Sequence, residues 1–188
     1  IQGNLLIRQR MCVIKALLEQ KELTVVTSID GCMDYLMPLE EIGKKVLHFY
    51  SDSVINMDVL KNTLVQLGYE RVGQVEMPGQ FSVRGGIVDI FPLTEELPVR
   101  IELWGDEVDS IRSFDPESQR SVEQLEEVVL YPATEIVLTP EQVEMGLERI
   151  TKSEKSYEKT LREQFQTEEA HRICLLYTSP SPRDRQKS

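Results

Sequence analysis

Pro98-Val99-Arg100-Ile101-Glu102-Leu103-Trp104-Gly105-Asp106-Glu107-Val108-Asp109-Ser110-Ile111-Arg112 is the stretch on which the fold turns. Val99, Ile101 and Leu103 alternate with Arg100, Glu102 and Trp104. Successive side chains of a strand point to opposite faces, so this alternation predicts a strand with one face buried. Gly105-Asp106 suits a tight reversal, and the run from Val108 to Phe114 then returns as the second strand of a hairpin. The apolar parity slips between Val108 and Ile111, which predicts a bulge.

Outward from that hairpin, further short extended runs lie at Gln80–Val83, Ile87–Phe91 and Glu127–Leu130, separated by Gly, Pro and Asp. Before them, Met57, Leu60, Leu64 and Leu67 form a helical stripe, and Gly68 stands where a left-handed cap is wanted. Val46–Phe49 and the β-branched run Leu23–Thr27 read as strands. Residues 5–20 read as a helix with Ile7, Met11, Ile14 and Leu18 on its apolar face. Beyond the sheet, Thr139-Pro140-Glu141-Gln142 combines a cap, a first-turn proline and a capping box. A long helix follows, striped by Val143, Leu147, Ile150, Tyr157, Leu161 and Phe165. The expected class is α+β: a mostly antiparallel sheet with one packed helix, flanked by part of an α/β subdomain and a long C-terminal helix.

The 188 residues are 40% hydrophobic and 28% charged, a globular composition. No apolar run approaches the roughly 20 residues of a membrane span. The chain opens on Ile1 without a basic, apolar leader, so a cytoplasmic fragment is expected. Cys12, Cys32 and Cys174 form no paired spacing and are expected as free, buried small hydrophobes. His48 and His171 have no close metal-ligand partner, so no metal site is expected. The net charge is −11, and residues 46–132 alone carry −10. Such a segment repels phosphate backbones, which disfavours duplex DNA as its direct partner.

No Gly-x-x-x-x-Gly-Lys-Ser/Thr loop, Gly-x-Ser-x-Gly elbow or His-Glu-x-x-His is present. The chain therefore offers no catalytic constellation and no cofactor cradle. The acidic run Asp106-Glu107-Val108-Asp109 sits in a hairpin reversal without a base beside it. What stands out is a set of arginines, Arg71, Arg84, Arg100, Arg112 and Arg120, on an acidic segment. Each reads first as a solvated or ion-paired surface residue. Arg84 precedes the turn-forming pair Gly85-Gly86 and has Phe81 and Phe91 close in sequence, which makes it the best candidate for an interface anchor. On the residues alone, Phe91 belongs to the core.

Gly68-Tyr69-Glu70-Arg71-Val72, followed by Pro78-Gly79-Gln80-Phe81-Ser82-Val83-Arg84-Gly85-Gly86-Ile87-Val88-Asp89-Ile90-Phe91-Pro92, resembles a signature shared by the excinuclease subunit UvrB and the Mfd-type transcription-repair coupling factors. The likeness continues through Pro98–Arg112 and Ser118-Gln119-Arg120-Ser121 and covers residues 1–173. Gly86, Ser82, the Ser118–Ser121 continuation and Thr94-Glu95-Glu96-Leu97-Pro98 favour the coupling factors; the alternative is a UvrB-like, DNA-dependent ATPase subunit. The resemblance implies that residues 1–45 end a degenerate ATPase-like subdomain, 46–132 form a UvrA-interaction domain, and 133–173 begin a helical subdomain. It implies that Arg71, Arg84 and Phe91 meet UvrA, with Gly79, Phe81, Gly85 and Gly86 supporting them. It also implies that the parent's motor, with ATP and Mg, and its contacts to RNA polymerase and double-stranded DNA lie outside this chain. The last fifteen residues, from Cys174-Leu175-Leu176-Tyr177-Thr178 onward, resemble a translated sequencing adapter and are expected as a disordered, artefactual tail.

Overall fold

In the computed structural model, residues 2–163 are described. The elements run α1 (Gln2–Leu18), α2 (Ile29–Met33), α3 (Leu39–Gly43), β1 (Leu47–Tyr50), α4 (Met57–Gln66), β2 (Glu70–Arg71), β3 (Gln80–Arg84) and β4 (Ile87–Ile90), then β5 (Val99–Trp104), β6 (Glu107–Phe114), β7 (Ser121–Leu125), β8 (Glu127–Leu130) and α5 (Pro140–Glu163). Phe165 and the segment 174–188 lie outside the described residues.

Six strands form one sheet in the order β2-β3-β4-β5-β6-β7, antiparallel throughout except for the parallel pair β2–β3. The deciding hairpin is as its alternation predicts: Trp104 pairs with Glu107 across Gly105-Asp106, and Ile101 faces Ile111. The register slips where Glu102 pairs with Ser110 but Leu103 with Val108, leaving Asp109 as the extra residue of a bulge. β1 and β8 form a separate antiparallel pair with Leu47 opposite Leu130.

Helix α4 covers one face of the large sheet. Asn56 caps it, its side-chain oxygen accepting from the N–H groups of Asp58 and Val59 at 3.1 and 3.0 Å. Its other end closes with Gly68 at φ +88°, the Gly68 N–H donating to Val65 O and the Tyr69 N–H to Leu64 O. That is a Schellman cap, and an added Cβ at Gly68 would lie 2.8 Å from Thr134 Cγ2. Leu60, Leu64 and Leu67 join Phe81, Val88, Ile90, Ile101 and Ile111 in a single buried cluster. A second cluster joins Met11 and Ile14 of α1 to Ile42, Leu93 and Tyr131.

Two expectations need correction. Leu23–Thr27 is not a strand: no described strand pairs with it, and Val26 is 91% exposed. A β-branched run holds an extended conformation as a strand only when a neighbouring strand satisfies its backbone groups. Cys12 and Cys32 are exposed, not buried. Two short strands also escape the sequence pattern, β2 and β7, both at sheet edges. The chain divides into two compact units, one ending at Val137 and one starting at Leu138. Within the second, Thr139 and Gln142 form the reciprocal capping box: Thr139 N–H to Gln142 Oε1 at 2.8 Å and Gln142 N–H to Thr139 Oγ1 at 3.2 Å.

Candidate functional site: the outer face of the sheet

Because the side-chain period of a strand is two, residues between those facing α4 point to the opposite side. The register aligns them in rows across the strands. Ser82, Asp89, Arg100, Arg112 and Gln124 form one row; Arg84, Ile87, Glu102 and Ser110 the next; Trp104 and Glu107 a third, with Val54 bridging to Glu107. The inner face is apolar, whereas this outer face carries paired charges beside apolar residues such as Ile87 and Trp104.

At its centre is Asp89, with a side chain only 1% exposed. Arg100 stands directly opposite on β5 and grips both carboxylate oxygens, Nε to Oδ1 at 2.6 Å and Nη2 to Oδ2 at 3.0 Å. The same guanidinium lies 4.5 Å from the centroid of the Phe114 ring. Its proton is held more firmly than usual, chiefly by the hydrogen bond to Asp89. Arg84 reaches Asp89 from the other side, Nη2 to Oδ2 at 2.7 Å, while its side chain stays 51% exposed. The turn explains that geometry. Gly85-Gly86 joins Arg84 to Ile87, with Gly85 at φ +60°, so Asp89 lies on the diagonal from Arg84 within reach of a long side chain. Gly86 is needed for a different reason: a Cβ there would sit 2.9 Å from the carbonyl oxygen of Leu103. One row further along, Arg112 pairs with Glu102, and Ser110 Oγ also donates to that carboxylate at 3.0 Å.

The other predicted residues fall in different places. Arg71 is exposed in β2 at the sheet edge, opposite Phe81. Phe91 is buried, 5% exposed, against Val75 and Phe114, so as placed it offers a partner almost no surface. That agrees with its reading from the residues alone. Phe81 is fully buried on the inner face, a core residue beneath the site. Gly79 donates its N–H to Phe91 O at 2.7 Å and so ties the preceding loop to β4. Ser82 Oγ anchors that loop as well, donating to Gly73 O at 3.0 Å. The sequence does not single out Asp89, and in it Arg100 reads as an ordinary surface arginine. The turn and the alternation place Ser82, Asp89 and Arg100 in one row, but no local pattern shows that Arg100 closes over Asp89 and buries it.

Chemically, this face can bind. Two guanidiniums around one carboxylate leave a net positive charge of one unit within a strongly acidic segment. Among the described residues no group of three or more His, Cys, Asp or Glu is placed to hold a metal ion. The tyrosines with perturbed acidity serve structure: Tyr69 OH donates to Tyr131 O at 2.7 Å, and burial pushes its phenol above the ordinary value.

The α+β domain that carries this face matches known proteins. Residues 47–136 match the family model of the UvrB interaction domain. Over 163 residues, 87% of this chain, it is 40% identical to the "Transcription-repair-coupling factor" of Bacillus subtilis strain 168, of which it covers 14%. It is 39% identical over 140 residues, 74% of the chain, to the protein of the same name from Staphylococcus aureus strain MRSA252, covering 12% of it. The chain belongs to the transcription-repair-coupling factor family, over the stretch that carries the UvrB interaction domain. It spans about a seventh of the length of these relatives.

Proposed function

We propose that this chain recruits UvrA, presenting the outer face of its sheet, and that it serves transcription-coupled nucleotide excision repair as part of a coupling factor. The observation that carries the reading is Arg84: half exposed, held at the head of a tight hairpin, and tethered to a buried carboxylate. Arginine in such a setting supplies a planar, pre-aimed donor fork, the kind of group that dominates protein interfaces. Arg71, exposed at the edge strand, is the second proposed contact. Support also comes from the match of residues 47–136 to an interaction domain and from the names of the relatives.

On this reading residues 46–132 act as the UvrA-interaction domain, between the end of an ATPase-like subdomain (1–45) and the start of a helical one (133–173). ATP-driven translocation on double-stranded DNA and contact with RNA polymerase are proposed for the parent, through parts outside this chain. The fragment itself acts in the cytoplasm as an adaptor, without a catalytic step. Among the described residues no helix is long and apolar enough to cross a membrane.

Calorimetric titration of the chain into purified UvrA tests the proposal. Saturable binding is expected, and Arg84→Ala should weaken it by about 2 kcal/mol, the scale of an interface hot spot. A folded wild-type chain that does not bind would overturn the reading.

A further inference from the structure

The two arginines on Asp89 are held differently. Arg100 is 15% exposed, uses two nitrogens on the carboxylate and stacks over Phe114. Its Nη2 also approaches Gln119 Oε1 at 3.4 Å, and the Gln119 amide is fixed by Pro116 O at 2.8 Å. Arg84 spends one nitrogen on Asp89, and its side chain stays half exposed. A guanidinium carries five N–H donors, so most of its capacity is free for a partner.

A buried carboxylate needs compensation, and Arg100 alone provides a bidentate partner for Asp89. The bond to Arg84 is therefore surplus to the needs of the fold. Its physical effect is on Arg84: a long, flexible side chain is confined to one direction before any partner arrives, which lowers the ordering cost of binding.

We propose that Asp89, itself clamped by Arg100, is a positioning residue that aims Arg84 at a carboxylate on the partner's surface. This rests on the recruitment reading above. Asp89 is too buried to touch a partner, so it acts only through Arg84. The carboxylate fits because the triad keeps one uncompensated positive charge and the outward part of the fork matches a planar, two-oxygen acceptor.

The test is a double-mutant cycle on the full chain, titrated into UvrA, with thermal unfolding of every variant alongside. Arg84→Ala should weaken binding about thirtyfold, the equivalent of a hot spot. Asp89→Asn keeps the side chain's size and removes its charge, and should weaken binding by about tenfold or more. Combined with Arg84→Ala it should add almost nothing, because both remove the same aimed group. A loss that merely reflected a damaged fold would add in full.

Asp89→Asn can unfold the domain by stranding Arg100, in which case Asp89→Leu with Arg100→Leu removes the clamp without leaving a buried charge. That pair should reproduce the loss and again be non-additive with Arg84→Ala. Wild-type binding that Arg84→Ala weakens but neither clamp variant affects would overturn the positioning role while leaving recruitment standing. Additive losses would overturn it as well. No binding by the folded wild-type chain would overturn recruitment, and this inference with it.

Discussion

The two faces of the six-stranded sheet are made by alternate residues of the same strands, yet they are opposite in character. On the inner face Phe81, Val88, Ile90, Ile101 and Ile111 are buried beneath Leu60, Leu64 and Leu67 of α4. On the outer face Asp89, Arg84, Arg100, Glu102 and Arg112 pair with one another, and Trp104 stands 84% exposed. The inner face stabilises by removing apolar area from water, which rewards any well-packed hydrophobe. The outer face holds groups whose worth depends on what they point at. Apolar packing and paired charge are thus interleaved at a spacing of one residue, and a single slip in register would exchange them.

The sharpest way to break that division is to damage the inner face alone. Leu64 is fully buried between helix and sheet. Leu64→Ala should cost about 2 to 5 kcal/mol of stability, through lost burial and the cavity left behind. Urea unfolding measures it, and UvrA affinity of the molecules still folded should be unchanged. A large loss of affinity without loss of stability would show that the faces are not independent.

Tyr69 offers a milder probe at the rim of the inner layer. Its hydroxyl donates to Tyr131 O, and burial raises its pKa above the ordinary value. Tyr131 is pushed up to about 12, first by burial and then by the charge of Glu19, to whose carboxylate it donates at 3.1 Å. With folded values above the unfolded value, the unfolded chain sheds its protons first. Stability is therefore full below about pH 10 and falls as pH rises from there towards the folded values. Unfolding midpoints followed through the alkaline range should show this decline. Tyr69→Phe should flatten part of it and cost about 1.5 kcal/mol at neutral pH, because the Tyr131 carbonyl loses its donor.

The inner face was legible in the sequence and the outer face only in part. Alternation at Val99–Trp104, the Gly105-Asp106 reversal and the slip near Asp109 each leave a local trace, because one buried face forces a period of two. β7 left none: of Ser121–Leu125 only Leu125 packs against the core, so an edge strand reads as polar loop. Leu23–Thr27 erred the other way, since β-branching marks capacity for a strand and not the presence of a partner. On the outer face Arg84 could be singled out by its turn, but Asp89 could not. Its burial is produced by Arg100, eleven residues on, and no local pattern carries that pairing.

Smaller still is the effect expected at Asn56, which caps the helix covering the inner face. Asn56→Ala should remove about 1 kcal/mol by leaving two N–H groups to water, readable as a modest shift in unfolding midpoint. UvrA binding should not change.

The smallest stability effect belongs to the largest exposed side chain. Trp104 lies on the outer face, paired across the hairpin with Glu107 and next to the row of Arg84 and Glu102. A buried tryptophan would be among the costliest residues to truncate, yet here little area is withdrawn from water. Trp104→Ala should alter stability by no more than about 0.5 kcal/mol in chemical unfolding. A loss near that of Leu64→Ala would mean that Trp104 packs against something in solution, and that the outer face shares the structural task of the inner one. A near-zero change is what separate roles for the two faces require.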